Sequence, residues 1–158
     1  NNFEVSLHYE TLATFAKKHH LFRKSDINDK IIETCRATLS DEIKRFEQTY
    51  FKIHSICSHG DKRNRVLDVP NHVIVNQGLK AKRRILFETY DSNILSEFDA
   101  YISDSSVYSD FEWKHAGSPY KIIDKQKQTI CLLTHPIHWN QSFLKNIRML
   151  FAIYLDNR

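Results

Sequence analysis

The chain has 158 residues, of which 41% are hydrophobic and 27% charged. This composition is typical of one globular domain and excludes disordered, collagen-like and disulfide-stapled proteins. No run approaches the roughly 20 apolar residues that cross a bilayer, so we expect no membrane partner. The 23 Lys and Arg residues against 19 Asp and Glu give a net charge of +4, which permits an anionic partner without requiring one.

The cysteines are an odd set of three, Cys35, Cys57 and Cys131, with no Cys-x-x-Cys pair. This spacing argues against a disulfide framework and against a zinc ribbon. We therefore predict reduced, mostly buried thiols and a cytoplasmic location.

The first third of the chain switches from a strand pattern to helical patterns. Residues 3–7 alternate apolar and polar side chains, which predicts a short strand ending at His8. Helical spacing follows over residues 9–19, and a second helix begins at Ser25 or Asp26. The second helix carries the most regular apolar stripe in the chain, formed by Ile27, Ile31, Cys35, Leu39, Ile43, Phe46 and Tyr50.

The rest of the chain contains three further strand patterns. Residues 51–57, 98–102 and 129–134 are rich in β-branched and apolar side chains, and a helical pattern over residues 143–154 closes the chain. Strands separated by helical stretches predict an α/β fold with a parallel sheet, open or barrel-like, in one domain over residues 1–158. Neither a Gly-x-Gly-x-x-Gly nor a Gly-x-x-x-x-Gly-Lys motif occurs, which excludes the common nucleotide-binding loops.

Each of the four predicted strands ends at a polar residue that can bind a metal: His8, His59, Asp104 and His135. The carboxyl ends of parallel strands emerge on one face, where α/β enzymes build their active sites. Imidazoles with one carboxylate form a ligand set suited to Zn²⁺ or another divalent transition metal. A remaining histidine would serve as general acid or base near neutral pH.

The two tryptophans, Trp113 and Trp139, follow the strands that end at Asp104 and His135. An exposed aromatic ring beside a polar cleft often stacks on a sugar or a base. We therefore predict that both tryptophans contact substrate.

Four segments occur in one order along the chain: FEVSLHYE at 3–10, CSHG at 57–60, YISD at 101–104 and LLTHPIHW at 132–139. Together they resemble the polysaccharide deacetylase-like (NodB-like carbohydrate esterase) superfamily, especially its divergent bacterial branch. The resemblance spans nearly the whole chain. It implies an incomplete (β/α)7 barrel and a metal-dependent hydrolase, most simply a Zn²⁺ enzyme, that removes acetyl groups from amino sugars or other acetylated saccharides.

The resemblance also implies roles for individual residues. His8 would bind the metal, and His135 would protonate the leaving group. Leu132 would help to form the acetyl pocket, while Asp104 and Trp113 would orient the acid and line the groove.

The sequence departs from the family pattern at three points. Leu12 stands where the family has a second metal-binding histidine, and we expect His59 to supply that ligand. The family's Arg-x-Pro-Tyr motif is absent, and Asn64 and Arg65 are expected to contact the substrate instead. The family's paired aspartates lie on an earlier strand, so we expect either that the sequence begins inside the domain, without its first βα units, or that it is a degenerate relative.

Two alternatives use the same residues. A metal-dependent phosphoesterase or nuclease would add Lys62, Arg63, Arg65 and the basic cluster at 80–84 as phosphate contacts. A catalytically degenerate protein would bind saccharide without turnover. Nucleic-acid binding is the least favoured alternative, because basic groups of this kind are usually a solvated surface. Basic clusters interleaved with aromatic residues nevertheless leave it open, and such binding would depend steeply on salt.

Overall fold

The computed structural model describes residues 4–105, 112–124, 129–135 and 142–156. These residues divide into two compact units, Asn1–Asp91 and Ser92–Arg158. The strands are β1 (Leu7–Tyr9), β2 (Ser55–Ser58), β3 (Phe87–Glu88), β4 (Ala100–Ser103), β5 (Lys114–His115) and β6 (Ile130–Leu133). The α-helices are α1 (Thr11–Lys18), α2 (Asp29–Thr49), α3 (Lys62–Leu67), α4 (Gln77–Arg83), α5 (Ser92–Leu95), α6 (Pro119–Asp124) and α7 (Phe143–Asp156), and single 3₁₀ turns cover Lys24–Asp26 and Asn71–Ile74.

The first unit contains a parallel sheet in the order β1-β2-β3. Leu7 pairs with Ile56 and Tyr9 with Ser58, while Ser55 pairs with Phe87 on the other side. Each parallel connection passes through at least one helix, as parallel pairing requires. The carboxyl ends of β1 and β2 therefore lie side by side.

Helix α2 covers the core of the first unit with its predicted apolar stripe. The side-chain amide oxygen of Asn28 accepts a hydrogen bond from Ile31 N at 3.1 Å and caps the helix, so the helix begins a turn later than predicted. The buried core is formed mainly by Tyr9, Leu12, Ala16, Cys35, Leu39, Ile43, Ile53, Ile56, Leu67, Ile74, Leu79 and Ile85. The stripe is buried in its middle, whereas Tyr50 at its end is 68% exposed.

The second unit contains a small mixed sheet in the order β5-β4-β6. Strand β4 runs parallel to β6 and antiparallel to β5. The buried core of the second unit consists of Ala100, Ile102 and Ile122, and Ile130 packs against it.

The fold is α/β, as the sequence predicts, but its strands form two sheets and one of these is mixed. The sheets do not close into a barrel within the ranges that the structure describes. The strands are also shorter than predicted: the second begins at Ser55 rather than at residue 51, because its neighbours offer ladder partners only from Ser55 to Ser58. The first predicted strand shifts to Leu7–Tyr9, so His8 lies within it rather than after it.

The three cysteines are free thiols, as predicted, but only Cys35 is fully buried. Burial raises the pKa of Cys35 to about 11, with a further contribution from the charge of Glu42. Among the described residues, we find no helix whose length and apolar character would let it cross a membrane.

Candidate functional site

The structure brings His8 and His59 together at the carboxyl ends of β1 and β2. His8 pairs in register with Cys57, and the backbone N–H of His59 donates to Tyr9 O at 2.7 Å, extending the ladder by one step. The two imidazole rings meet edge to face, with centroids 5.1 Å apart and an angle of 74° between their planes. Parallel pairing therefore places two residues 51 positions apart in one cluster.

Two carboxylates complete this cluster, and sequence reasoning missed both. Glu10 Oε2 lies 2.8 Å from His59 Nδ1, and Asp61 lies two residues beyond His59. One ligand-capable atom from each of Glu10, His59 and Asp61 lies within 4.8 Å of the others. We call His8, Glu10, His59 and Asp61 the strand-end cluster.

A lysine binds both carboxylates of the strand-end cluster. Lys17 Nζ, from the last turn of α1, contacts Glu10 Oε1 and lies 3.0 Å from Asp61 Oδ2. The hydrogen bond to Glu10 raises the pKa of Lys17, against partial desolvation. Burial alone would raise the pKa of Asp61, but the backbone N–H of Arg63 and the Lys17 ammonium outweigh it and lower that pKa. The two carboxylates are therefore already arranged to hold a cation.

Asp61 is fixed in place because it also caps helix α3. Its Oδ1 accepts from Arg63 N at 2.7 Å, and the side-chain oxygen of Asn64 accepts in return from Asp61 N at 3.1 Å. This is the reciprocal capping arrangement that an Asp-x-x-Asn sequence can form. The second carboxylate oxygen remains for Lys17, so one side chain serves both the helix and the cluster.

A buried asparagine holds the loop that carries His59. Asn71 Nδ2 donates to His59 O at 2.5 Å and to the side-chain oxygen of Asn64 at 2.9 Å. Its side-chain oxygen accepts from Ala13 N in α1 at 2.9 Å. Asn71 thus connects α1, α3 and the end of β2, and its 2% exposure keeps water from competing for these bonds.

A buried glutamate supports the neighbouring strand ends. Glu88 is 1% exposed, and its carboxylate accepts from Ser58 N at 2.8 Å and from Tyr90 N at 2.6 Å. The Tyr9 hydroxyl donates to it at 3.4 Å. Burial, together with the Glu88 charge, raises the pKa of Tyr9, so that hydroxyl stays protonated. These bonds tie the ends of β1, β2 and β3 together.

The strand-end cluster borders an open cleft of about 250 Å³. The rings of His72 and Tyr90 stack along it with centroids 6.0 Å apart. Its lining consists of Ser58, His59, Gly60, Asn64, Pro70, Asn71, His72 and Tyr90. A small polar ligand with an apolar face fits such a lining.

In the second unit, the structure pairs Asp104 with His135. Strand β4 ends just before Asp104, and β6 ends two residues before His135. Asp104 Oδ1 lies 2.6 Å from His135 Nδ1, and Asp104 Oδ2 accepts from His135 N at 2.8 Å. A carboxylate only accepts hydrogen bonds, so Nδ1 carries the hydrogen and Nε2 is the basic nitrogen.

The other predicted site residues have different surroundings. Asn64 is buried by the capping and loop bonds described above, while Arg65 is exposed on α3. Leu132 is 53% exposed and Trp113 is half-buried. Trp139 lies outside the described residues. Leu12, at the family's second histidine position, is fully buried core.

Several of the basic groups assigned to phosphate in the nuclease alternative have contacts within the protein. Arg63 Nη1 donates to Leu21 O at 2.5 Å, and its guanidinium lies 4.1 Å above the ring of Phe22. Lys80 pairs with Asp91, an ion pair that lowers the pKa of Asp91 despite partial burial. Arg63 and Lys80 are therefore in contact with groups of the protein itself.

One sequence signal could have found the missed carboxylates. Each of the first two strand ends carries a histidine followed two residues later by an acid, as His8-Tyr9-Glu10 and His59-Gly60-Asp61. Adjacent strand ends with the same spacing place four ligand-type side chains together. Lys17 has no such signal, since it is one of two adjacent exposed lysines at the end of α1.

No protein-family model, curated protein or solved structure matches this chain. The choice of a metal for the strand-end cluster therefore rests on the ligand atoms that the cluster supplies. One imidazole nitrogen and two carboxylate oxygens within 4.8 Å match the ligands that Zn²⁺ and similar divalent ions prefer.

Proposed function

We propose that this chain is a metal-dependent hydrolase that removes acetyl groups from a saccharide. The strand-end cluster carries the proposal: imidazoles and carboxylates converge at the carboxyl ends of two adjacent parallel strands, beside a cleft. Ligand sites in parallel α/β sheets lie at that edge. We also propose membership of the polysaccharide deacetylase-like superfamily, and with it the incomplete barrel in one domain and a cytoplasmic location.

His59, Glu10 and Asp61 would hold the metal, with His8 beside them as the ligand that the resemblance implies. The metal would supply Lewis acidity, polarising an acetyl carbonyl and lowering the pKa of bound water toward ~7. In this assignment Glu10 and Asp61 provide the carboxylates that the family takes from an earlier strand.

The chain's own side chains would orient the metal ligands, bind the sugar and supply the proton for the leaving group. Glu10 Oε2 lies 2.8 Å from His59 Nδ1, so the carboxylate keeps the imidazole ring turned toward the strand-end cluster. The cleft beside His59, with the stacked His72 and Tyr90, binds the sugar. In the second unit Asp104 holds the Nδ1–H tautomer of His135, and the resemblance implies that His135 would protonate the leaving group.

The proposal is tested by metal content and hydrolysis in the same preparations. Protein purified without chelator and then loaded with Zn²⁺ should bind about one equivalent and hydrolyse a chromogenic acetyl ester and an N-acetylated chitooligosaccharide. The His59→Ala variant should lose the metal and the activity. The matched control is His20→Asn, which removes an exposed imidazole and tolerates the left-handed φ of 54°.

Stoichiometric Zn²⁺ binding that survives His59→Ala would overturn the metal assignment. Hydrolysis of a chromogenic phosphodiester but not of acetyl substrates would favour the phosphoesterase alternative. Saccharide binding without turnover by the metal-loaded protein would show a degenerate relative.

A further inference from the structure

A second cleft, of about 470 Å³, lies at the opposite, amino end of β2. The chain that enters β2 contributes Lys52 and His54, and the end of α4 contributes Lys82, Arg83 and Arg84. Four formal positive charges from two distant segments therefore line one cavity, and His54 adds a fifth when protonated. We call these five residues the basic cleft.

Two carboxylates lie at or beside the basic cleft, Glu47 in its lining and Asp41 next to Arg83. Glu47 lines it, and Glu47 Oε1 accepts from Ile53 N at 3.4 Å. Arg83 is held against α2: its Nε donates to Ser40 Oγ at 2.7 Å and its Nη2 lies 3.7 Å from Asp41 Oδ1.

The three exposed cations of the basic cleft are Lys52, Lys82 and Arg84. No ion pair within the described ranges involves any of them. Three exposed positive side chains in one cleft repel one another, and an anionic ligand would relieve that repulsion.

Arg84 adopts a backbone conformation that arginine rarely takes. It ends α4 with a φ of 57° and ψ of 34°, and its N–H bonds to Ala81 O and Lys80 O. Glycine or asparagine usually occupies this left-handed position, because a side chain there is strained. Arg84 therefore places a guanidinium group at the basic cleft, whereas a glycine in this position would contribute no charge.

Two exposed aromatic rings directly precede Lys52. Tyr50 is 68% exposed and Phe51 is 47% exposed. Both pack on Phe46, with ring centroids 5.0 Å and 5.6 Å from it. The rings are thus supported from behind while large parts of them face solvent.

We propose that the basic cleft binds a single-stranded nucleic-acid segment, with phosphates at Lys52, Lys82 and Arg84 and a base against Tyr50 or Phe51. A positive groove flanked by exposed aromatic rings is the arrangement that binds single strands without sequence preference. The cations are exposed, which suits an extended polyanion better than a small ion that needs desolvated donors. This site shares no residue with the strand-end cluster, so it stands independently of the proposed hydrolase.

The test measures binding of a fluorescein-labelled 12-nucleotide oligodeoxythymidine by anisotropy, from 50 to 500 mM salt. Three phosphate contacts on a single strand predict a log–log slope of about −2, or roughly 100-fold weaker binding across that range. The variant Lys52→Gln/Lys82→Gln/Arg84→Asn should weaken binding at least tenfold and flatten the slope. The control Lys18→Gln/Lys30→Gln/Lys114→Gln removes the same charge from exposed positions elsewhere and should change affinity less than twofold.

The aromatic contribution distinguishes nucleic acid from other polyanions. Tyr50→Ala should weaken oligonucleotide binding about fivefold or more and leave heparin binding unchanged. A 12-base-pair duplex should bind more weakly than the single strand. Equal losses of oligonucleotide affinity in both triple variants would overturn the site. The nucleic-acid assignment would be overturned if heparin competed as well as the oligonucleotide and Tyr50→Ala had no effect.

Discussion

The two units each contain a carboxylate–histidine pair, and the two pairs are held in different ways. Asp104 is completely buried and gives both of its oxygens to His135, one to the ring and one to the backbone N–H. The Glu10 side chain is 28% exposed and divides its oxygens between His59 and Lys17. The first pair is fixed by two bonds between the same residues, whereas the second belongs to a cluster with two further ligand-type groups.

This difference indicates different chemistry for similar groups. A histidine held by a buried carboxylate keeps one tautomer and one orientation, which suits proton transfer. A histidine in a cluster of partly exposed charged side chains can exchange one of these contacts for a metal ion, which suits a metal ligand. The comparison therefore favours the two proposed roles, proton transfer for His135 and metal binding for His59.

The largest expected effect distinguishes these two proposed roles in the Zn²⁺-loaded protein. His135→Ala should lower acetyl-ester turnover by roughly 10²–10⁴-fold, the usual contribution of general acid catalysis, while metal content stays at the wild-type value. His59→Ala should lower both. Metal loss in the His135→Ala protein would contradict the division of roles, as would full turnover without His135.

The next effect concerns the free energy of unfolding. Asp104→Ala should cost about 3 kcal/mol, because two hydrogen bonds to a buried carboxylate disappear and the His135 N–H loses its partner. Glu10→Ala should cost less than about 1 kcal/mol, since its ion pairs are partly solvated. Urea unfolding followed by circular dichroism measures both, and equal costs would show that burial does not distinguish the two pairs.

Local pattern was enough to predict parts of the fold. The apolar stripe of α2 predicts a long buried helix, and Cys35, Leu39 and Ile43 are indeed fully buried. The strand patterns at residues 98–102 and 129–134 overlap the observed β4 and β6. Strand ends are harder to predict, because a ladder extends only as far as its neighbours, and β3 has two residues.

The sequence could predict only those parts of the candidate site whose place is set by the ends of paired strands. His8 and His59 meet because their strands pair in parallel, which the pattern of elements already implied. Glu10 and Asp61 follow those histidines at equal spacing and were open to prediction. Lys17 was not, since its contact with Asp61, 44 positions away, depends on how α1 packs against α3.

The smallest effect tests whether Lys17 competes with a metal for the strand-end cluster. Because the hydrogen bond to Glu10 raises the pKa of Lys17, the ammonium remains charged throughout the neutral range and opposes any cation between Glu10 and Asp61. Two unit charges 4 Å apart interact by about 1 kcal/mol in water-like surroundings, which corresponds to roughly fivefold in affinity. Lys17→Met should therefore tighten Zn²⁺ binding about fivefold in calorimetric titrations at neutral pH. Lys18→Met, the exposed neighbour on the same helix, is the control; equal affinity in the two variants would mean that these carboxylates do not bind the metal.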